Sequence, residues 1–160
     1  MLLNLSHAHA LAQNFGMKTY FDHEKLNVYQ LSLGFNGWVG ELLATLSAKA
    51  AAKDQLDRAA TSIPLNIAEG NGKFSKRDRA RFFDISRGSA LEAAAALDVL
   101  VSRKITAVEV VTPAKEQLVQ IVNMLMGLLK TLGYAFETFG NRVGETDAYF
   151  SEQEQEQEKE

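Results

Sequence analysis

The chain has 160 residues, 46% hydrophobic and 23% charged, the size and balance of a single globular domain able to bury its own core. It has no cysteine, which excludes disulfides, thiolate metal sites and cysteine nucleophiles together and fits a reducing, cytoplasmic compartment. The formal charge of −3 is unevenly spread: SEQEQEQEKE at residues 151–160 holds five Glu and one Lys, so residues 1–150 stand at +1.

Residues 1–20 show little periodicity and read as an N-terminal extension. MLLNLSHAHALAQ lacks the positive start of a secretory signal, and Asn4, Ser6, His7 and His9 break its apolar run. Met17, just before the first convincing helix, is a candidate internal start. That helix is expected to begin at Phe21-Asp22, with Asp22 as N-cap and Phe21 stapled against Leu26. Val28, Leu31, Phe35, Trp38, Leu42 and Leu46 then recur at steps of three and four, one apolar face running to about Ser47.

A second helix is expected from near Lys53, with Leu56, Ala60, Ile63 and Ile67 on one face and Pro64 inside it. A proline there supplies no amide hydrogen to the Ala60 carbonyl and crowds it, at about 3 kcal/mol, so a kink is expected over residues 60–64. Gly70-Asn71-Gly72 ends the helix and turns the chain, and Ser75, with Asp78 three residues on, caps a third. The third helix turns Phe82, Ile85, Ala93, Ala96, Leu97 and Leu100 inward, carries an alanine-rich LEAAAAL suited to close helix approach, and ends near Lys104.

A fourth helix is expected to start with Thr106 as cap, Glu109 closing the box and Ile105 stapled on Val110. Pro113 suits either a kink or a restart capped by Thr112. Leu118, Ile121, Leu125, Leu128 and Leu132 then alternate three and four, as in a coiled-coil seam. Gly133 and Gly140 loosen its end, and residues 141–160 form an acidic tail expected to be disordered. The most apolar stretch, residues 118–132, is punctuated by Gln120, Asn123 and Lys130, which marks a core helix and no membrane span. Four amphipathic helices with short links and no strand signal predict an all-α, antiparallel up-down four-helix bundle over residues 21–140.

Arg58, Ser62, Asn66 and Glu69 share one face of the second helix, and Arg77, Arg81, Asp84, Gly88 and Glu92 share one face of the third, with Arg87 and Ser89 beside them. The short turn sets these two polar tracks side by side. Read structurally, Glu69 pairs with an arginine of the third helix, Asn66 satisfies backbone freed by Pro64, and Gly88 lets the helices touch. Packing explains Lys73, Lys76, Arg77, Arg79 and Arg81 less well, since cations at a helix start oppose its dipole. Residues 71–87 carry a local +4, with Arg87 as a sixth cation against Asp78 and Asp84. A phosphate backbone would offset them, favoured by the arginine content and the unpaired amides of a helix start. An acidic partner would too, this chain's own Glu-rich tail included, and a solvated basic face is the plain alternative.

The segment DQLDRAATSIPLNIAEGNGKFSKRDRARFFDISRGSALEAAAAL, residues 54–97, resembles the signature of four-helix-bundle proteins encoded by intervening sequences inside bacterial 23S ribosomal RNA genes. That pattern, roughly Q-x-x-R-A-x-x-S-I-P-x-N-I-A-E-G, a Gly-basic turn, then F-x-x-x-A-R-G-S-x-x-E, is matched at Gln55, Arg58, Ala59, Ser62, Ile63, Pro64, Asn66, Ile67, Ala68, Glu69, Gly70, Phe82, Arg87, Gly88, Ser89 and Glu92. Ser86 replaces the usual alanine, and Lys73 stands where arginine is common. The resemblance implies a homopentameric ring, with the motif residues serving structure or subunit contact. It also implies kinship with the accessory protein of diversity-generating retroelements, which associates with a reverse transcriptase and nucleic acid. It implies no established activity.

Three functions follow from these expectations. The first is a non-catalytic homo-oligomer that binds RNA or a ribonucleoprotein through the basic turn, without cofactor, metal or membrane. The second is a metal-dependent nuclease using Glu69, Asp84 and Glu92. Against it, His7, His9 and His23 all lie at or before the first helix start, which leaves the bundle no imidazole base. The third is an adaptor for a nucleic-acid enzyme such as a reverse transcriptase.

Overall fold

The computed structural model describes residues 18–46 and 51–134. Met17, most of the N-terminal extension, Ser47, Gly140 and the acidic tail lie outside the described residues. A 3-10 turn at Asp22–Lys25 precedes four helices, α1 (Asn27–Thr45), α2 (Ala51–Gly72), α3 (Lys76–Ser102) and α4 (Val108–Thr131). Among the described residues there is no strand. Each helix packs on the next, and α4 packs on α1. This is the neighbour order expected of an up-and-down bundle.

The helix starts differ from expectation where side chains found other partners. Asp22 does not cap α1: its carboxylate takes the Lys25 ammonium at 2.9 Å. Glu24 accepts the amides of Phe21 and Tyr20, which hold its carboxyl below the usual range. The chain thus spends one 3-10 turn before Leu26, with extended backbone, leads into α1.

At the far end of α3, Lys104 adopts φ of 57°, and the amides of Lys104 and Ile105 return to Val101 and Leu100, both at 2.9 Å. This double closure ties Ile105 to α3, so the start of α4 slides to Ala107 and Thr106 does not cap it. Helix α4 runs unbroken through Pro113 with no restart, and Thr112 Oγ1 donates to the Val108 carbonyl at 2.8 Å instead of capping.

Phe35 and Leu42 of α1, Leu56, Ile63 and Ile67 of α2, Leu97 and Leu100 of α3, and Leu118, Ile121, Leu125 and Leu129 of α4 are fully buried together. Covering a side chain of this size contributes about 1.5–3 kcal/mol. The α3 stripe is shifted by one position from the expected one at its start. Phe83, Ser86 and Ala90 face the core, whereas Phe82 is half-buried and Ile85 is 41% exposed. Residues 83, 86, 90, 93, 97 and 100 keep a three-four alternation that residues 82 and 85 would break. Ser86 is tolerated inside because its hydroxyl donates to the Ile63 carbonyl of α2 at 2.9 Å.

Helix α2 continues across the buried Pro64. The carbonyl that the proline leaves without an amide donor belongs to Ala60, itself fully buried. Asn36 of α1 donates its side-chain amide to that carbonyl at 3.2 Å. Asn66, expected to repair the proline, bonds instead to the Ser62 carbonyl at 2.8 Å and hydroxyl at 2.9 Å.

Asn36→Ala is therefore expected to destabilise the fold by about 1–3 kcal/mol, the cost of a buried unpaired acceptor. That cost should shrink in a Pro64→Ala background, where the new amide can serve Ala60. Urea unfolding of the two single variants, the double variant and the parent measures the coupling. Equal costs in both backgrounds would contradict the assignment.

Candidate functional site

Only residues 73–75 separate α2 from α3, so the corner between them is tight. Gly70 makes it possible. A Cβ there would sit 3.0 Å from Phe82 Cβ and from two ring carbons of Phe83. The last turn of α2 thus meets the first turns of α3 so closely that a side chain would fit only if these residues gave way by a few tenths of an ångström. The Lys73 amide closes on the Gly70 carbonyl at 3.2 Å. Ser75 caps α3 as expected: its hydroxyl accepts from the Asp78 amide at 3.0 Å and donates to the Asp78 carboxylate at 2.7 Å.

The corner sorts the five expected cations into three kinds. Arg79 is half-buried and turns back, its guanidinium donating to the carbonyls of Asn71 at 3.3 Å and Lys73 at 3.2 Å. It acts as an internal brace. Lys73 is partly neutralised, 3.0 Å from the Glu69 carboxylate and 4.7 Å above the Phe82 ring. Lys76, Arg77 and Arg81 are exposed and form no ion pair among the described residues. Arg77 and Arg81 line an open cleft with Ser75, Asp78 and Tyr134, the last described residue.

Along the α2–α3 crossing, the motif residues form a polar seam. Arg58 donates to the Gln55 side-chain oxygen Oε1, and the Gln55 side-chain amide donates across to the Glu92 carboxylate of α3. One to two turns further on, the Ser62 and Ser89 hydroxyls meet at 2.8 Å, with Asn66 donating to Ser62. Ser89 also donates to the Ile85 carbonyl at 3.0 Å. Two expectations change here. Glu69 pairs with Lys73 of the turn and not with an α3 arginine. Gly88 is exposed, with open space where a Cβ would point, so the close approach is made at Gly70. Arg87 sends Nε and Nη2 to one carboxylate oxygen of Asp84, at 2.9 and 2.7 Å.

The carboxylates considered for metal chemistry are thus committed separately, Glu69 to Lys73, Asp84 to Arg87 and Glu92 to Gln55. Among the described residues no three acidic or histidine side chains gather as a metal site. No described helix is long and apolar enough to cross a membrane.

Sequence reasoning missed Asn36, Ser86 and Phe74. Asn36 and Ser86 carried a faint signal, as polar residues on the inward side of their helices, Asn36 three before the buried Val39 and Ser86 three after the buried Phe83. Phe74, between two lysine-bearing positions in a turn, carried a plainer one.

Four helices closed by a polar α2–α3 seam define a helical-bundle class of protein, and the comparisons place the chain within it. The family model described as 23S rRNA-intervening sequence protein matches residues 24–127. The chain belongs to this family. Among solved structures, it is similar to a protein of unknown function from the S23 ribosomal protein family of Bacteroides thetaiotaomicron VPI-5482. That similarity has a TM-score of 0.61 and 23% identity, covering 64% of this chain and 98% of that one, and shows a shared fold. A search of curated proteins gives no match.

The two motif glycines should respond oppositely to alanine. Gly88→Ala is expected to stabilise by about 1 kcal/mol, the helix-propensity gain at an open site. Gly70→Ala should instead destabilise by about 1–2 kcal/mol, because overpacking against Phe82 and Phe83 outweighs a gain that is small near a helix end. Thermal unfolding of both variants checks the signs. A stabilised Gly70→Ala protein would mean that the corner is not close-packed.

Proposed function

We propose that this protein is a non-catalytic, self-associating helical bundle that binds RNA or a ribonucleoprotein through the corner between α2 and α3. The observation that carries this reading is the trio Lys76, Arg77 and Arg81, exposed together without carboxylate partners among the described residues. They stand at the first turns of α3, where the helix dipole favours anions and disfavours bare cations. A phosphate backbone offsets that repulsion and releases counterions as it binds. The family's description, 23S rRNA-intervening sequence protein, is compatible with an RNA ligand.

Self-association, as a pentamer by family resemblance, belongs to the same proposal. Support comes from a groove of about 400 Å³ between α3 and α4, lined in part by Leu91, Ala94, Val119 and Val122, with Leu91 49% and Val119 59% exposed. A bend of α2 over residues 60–64 would set the curvature of such an assembly. Linked copies would raise the affinity of a small cationic patch by avidity. The same groove favours a second reading, an adaptor docked on a nucleic-acid enzyme such as a reverse transcriptase.

The test is RNA affinity across a salt series for the parent and for Arg77→Glu/Arg81→Glu. Three phosphate contacts predict a slope of about −2 in log affinity against log salt for a single strand. The double variant should bind at least about tenfold more weakly and with a flatter slope. Salt-independent binding, or unchanged affinity of the variant, would contradict the reading.

A further inference from the structure

Phe74 sits in the three-residue turn with its side chain fully exposed, at 106% of the reference value. Among the described aromatics it is the most exposed, ahead of Tyr20 at 74% and Phe21 at 65%, whereas Phe35, Trp38 and Phe83 are buried. Leaving such a side chain in water forgoes about 1.5–3 kcal/mol. Phe82 of α3 shows the alternative, half-buried beneath the Lys73 ammonium. No ring or cation contact among the described residues reaches Phe74.

The turn that displays this ring is braced on both sides. Arg79 holds the carbonyls of Asn71 and Lys73, the Lys73 amide closes on Gly70, and the Ser75 hydroxyl is locked to Asp78. A side chain presented on so fixed a base loses little further backbone freedom when a ligand covers it. On its C-terminal side stand Lys76 and Arg77, both exposed and without ion-pair partners among the described residues.

An aromatic face bordered by unpaired cations suits a strand whose phosphates meet the cations while a base lies on the ring. A duplex keeps its base faces stacked inside and offers the ring nothing. A protein partner fits less well, because lysine is depleted from the cores of protein contacts and two lysines flank this ring. We infer that Phe74 is a stacking platform for an unpaired base, so that the corner takes single-stranded nucleic acid in preference to duplex. This rests on the polyanion reading above and narrows it.

The test uses the full-length chain, a short single-stranded RNA and the same sequence annealed to its complement. Binding is measured for the parent, Phe74→Ala, Phe74→Trp and Arg77→Glu/Arg81→Glu, with circular dichroism confirming equal helicity. The parent should prefer the single strand. Phe74→Ala should weaken single-strand binding by about 5- to 100-fold, the worth of one stacked base, while leaving duplex affinity and the salt slope unchanged. Phe74→Trp should restore binding and show fluorescence quenching.

If Phe74→Ala binds the single strand as the parent does while the arginine variant loses it, the stacking inference is overturned and the polyanion reading stands. Loss of self-association in Phe74→Ala, without loss of RNA affinity, would overturn it in favour of a protein contact. If the parent binds neither RNA, both readings fall.

Discussion

The close approach of α2 and α3 at Gly70 is the constraint on which the rest of the molecule depends. With ring carbons of Phe83 3.0 Å from where a Cβ would stand, the two helices meet as soon as the turn between them ends. Both helices also carry small buried residues, Ala59 and Ala60 on α2 and Ala80, Ala90, Ala93 and Ala96 on α3. Helices held this close leave little space for long side chains between them. Polar groups on the crossing therefore bond to each other, as Ser62 does to Ser89 and Ser86 to the Ile63 carbonyl.

The proline draws on another helix. Pro64 is buried within α2, and its missing amide would strand the Ala60 carbonyl in the core. The remedy comes from a third helix, through Asn36 of α1. Pro64 thus turns a local defect into a tertiary link, and α1, α2 and α3 become mutually dependent around residues 60–64. At the corner, Arg79 performs a comparable service for the carbonyls of Asn71 and Lys73. Its inward turn leaves Lys76, Arg77 and Arg81 as the outward-facing charge.

Local chemistry was legible in the sequence and tertiary chemistry was not. The Ser75–Asp78 cap was readable because both partners lie within one turn, and the four helices were readable from their apolar periodicity. The starts of α1 and α4 were misread because Asp22 and Thr106 have the right identity for caps, yet each start depends on a competing bond, Lys25 for Asp22 and the Lys104 closure for Thr106. The α3 stripe was misplaced by one residue because Ile85 outranks Ser86 in hydrophobicity, and only the Ile63 carbonyl makes a buried serine acceptable. Arg77, Arg79 and Arg81 are indistinguishable in sequence. Two-residue steps in helical phase separate a brace from two exposed guanidiniums.

Under the proposal above, the braced corner at residues 73–81 is the surface that meets nucleic acid. Following backbone and side-chain resonances by NMR during titration with a short single-stranded RNA tests it most directly. Shifts should concentrate on residues 73–81, with the Phe74 ring and the Arg77 and Arg81 guanidiniums moving most and Arg79 keeping its internal bonds. Shifts centred on the α3–α4 groove, or none at any RNA concentration, would contradict it.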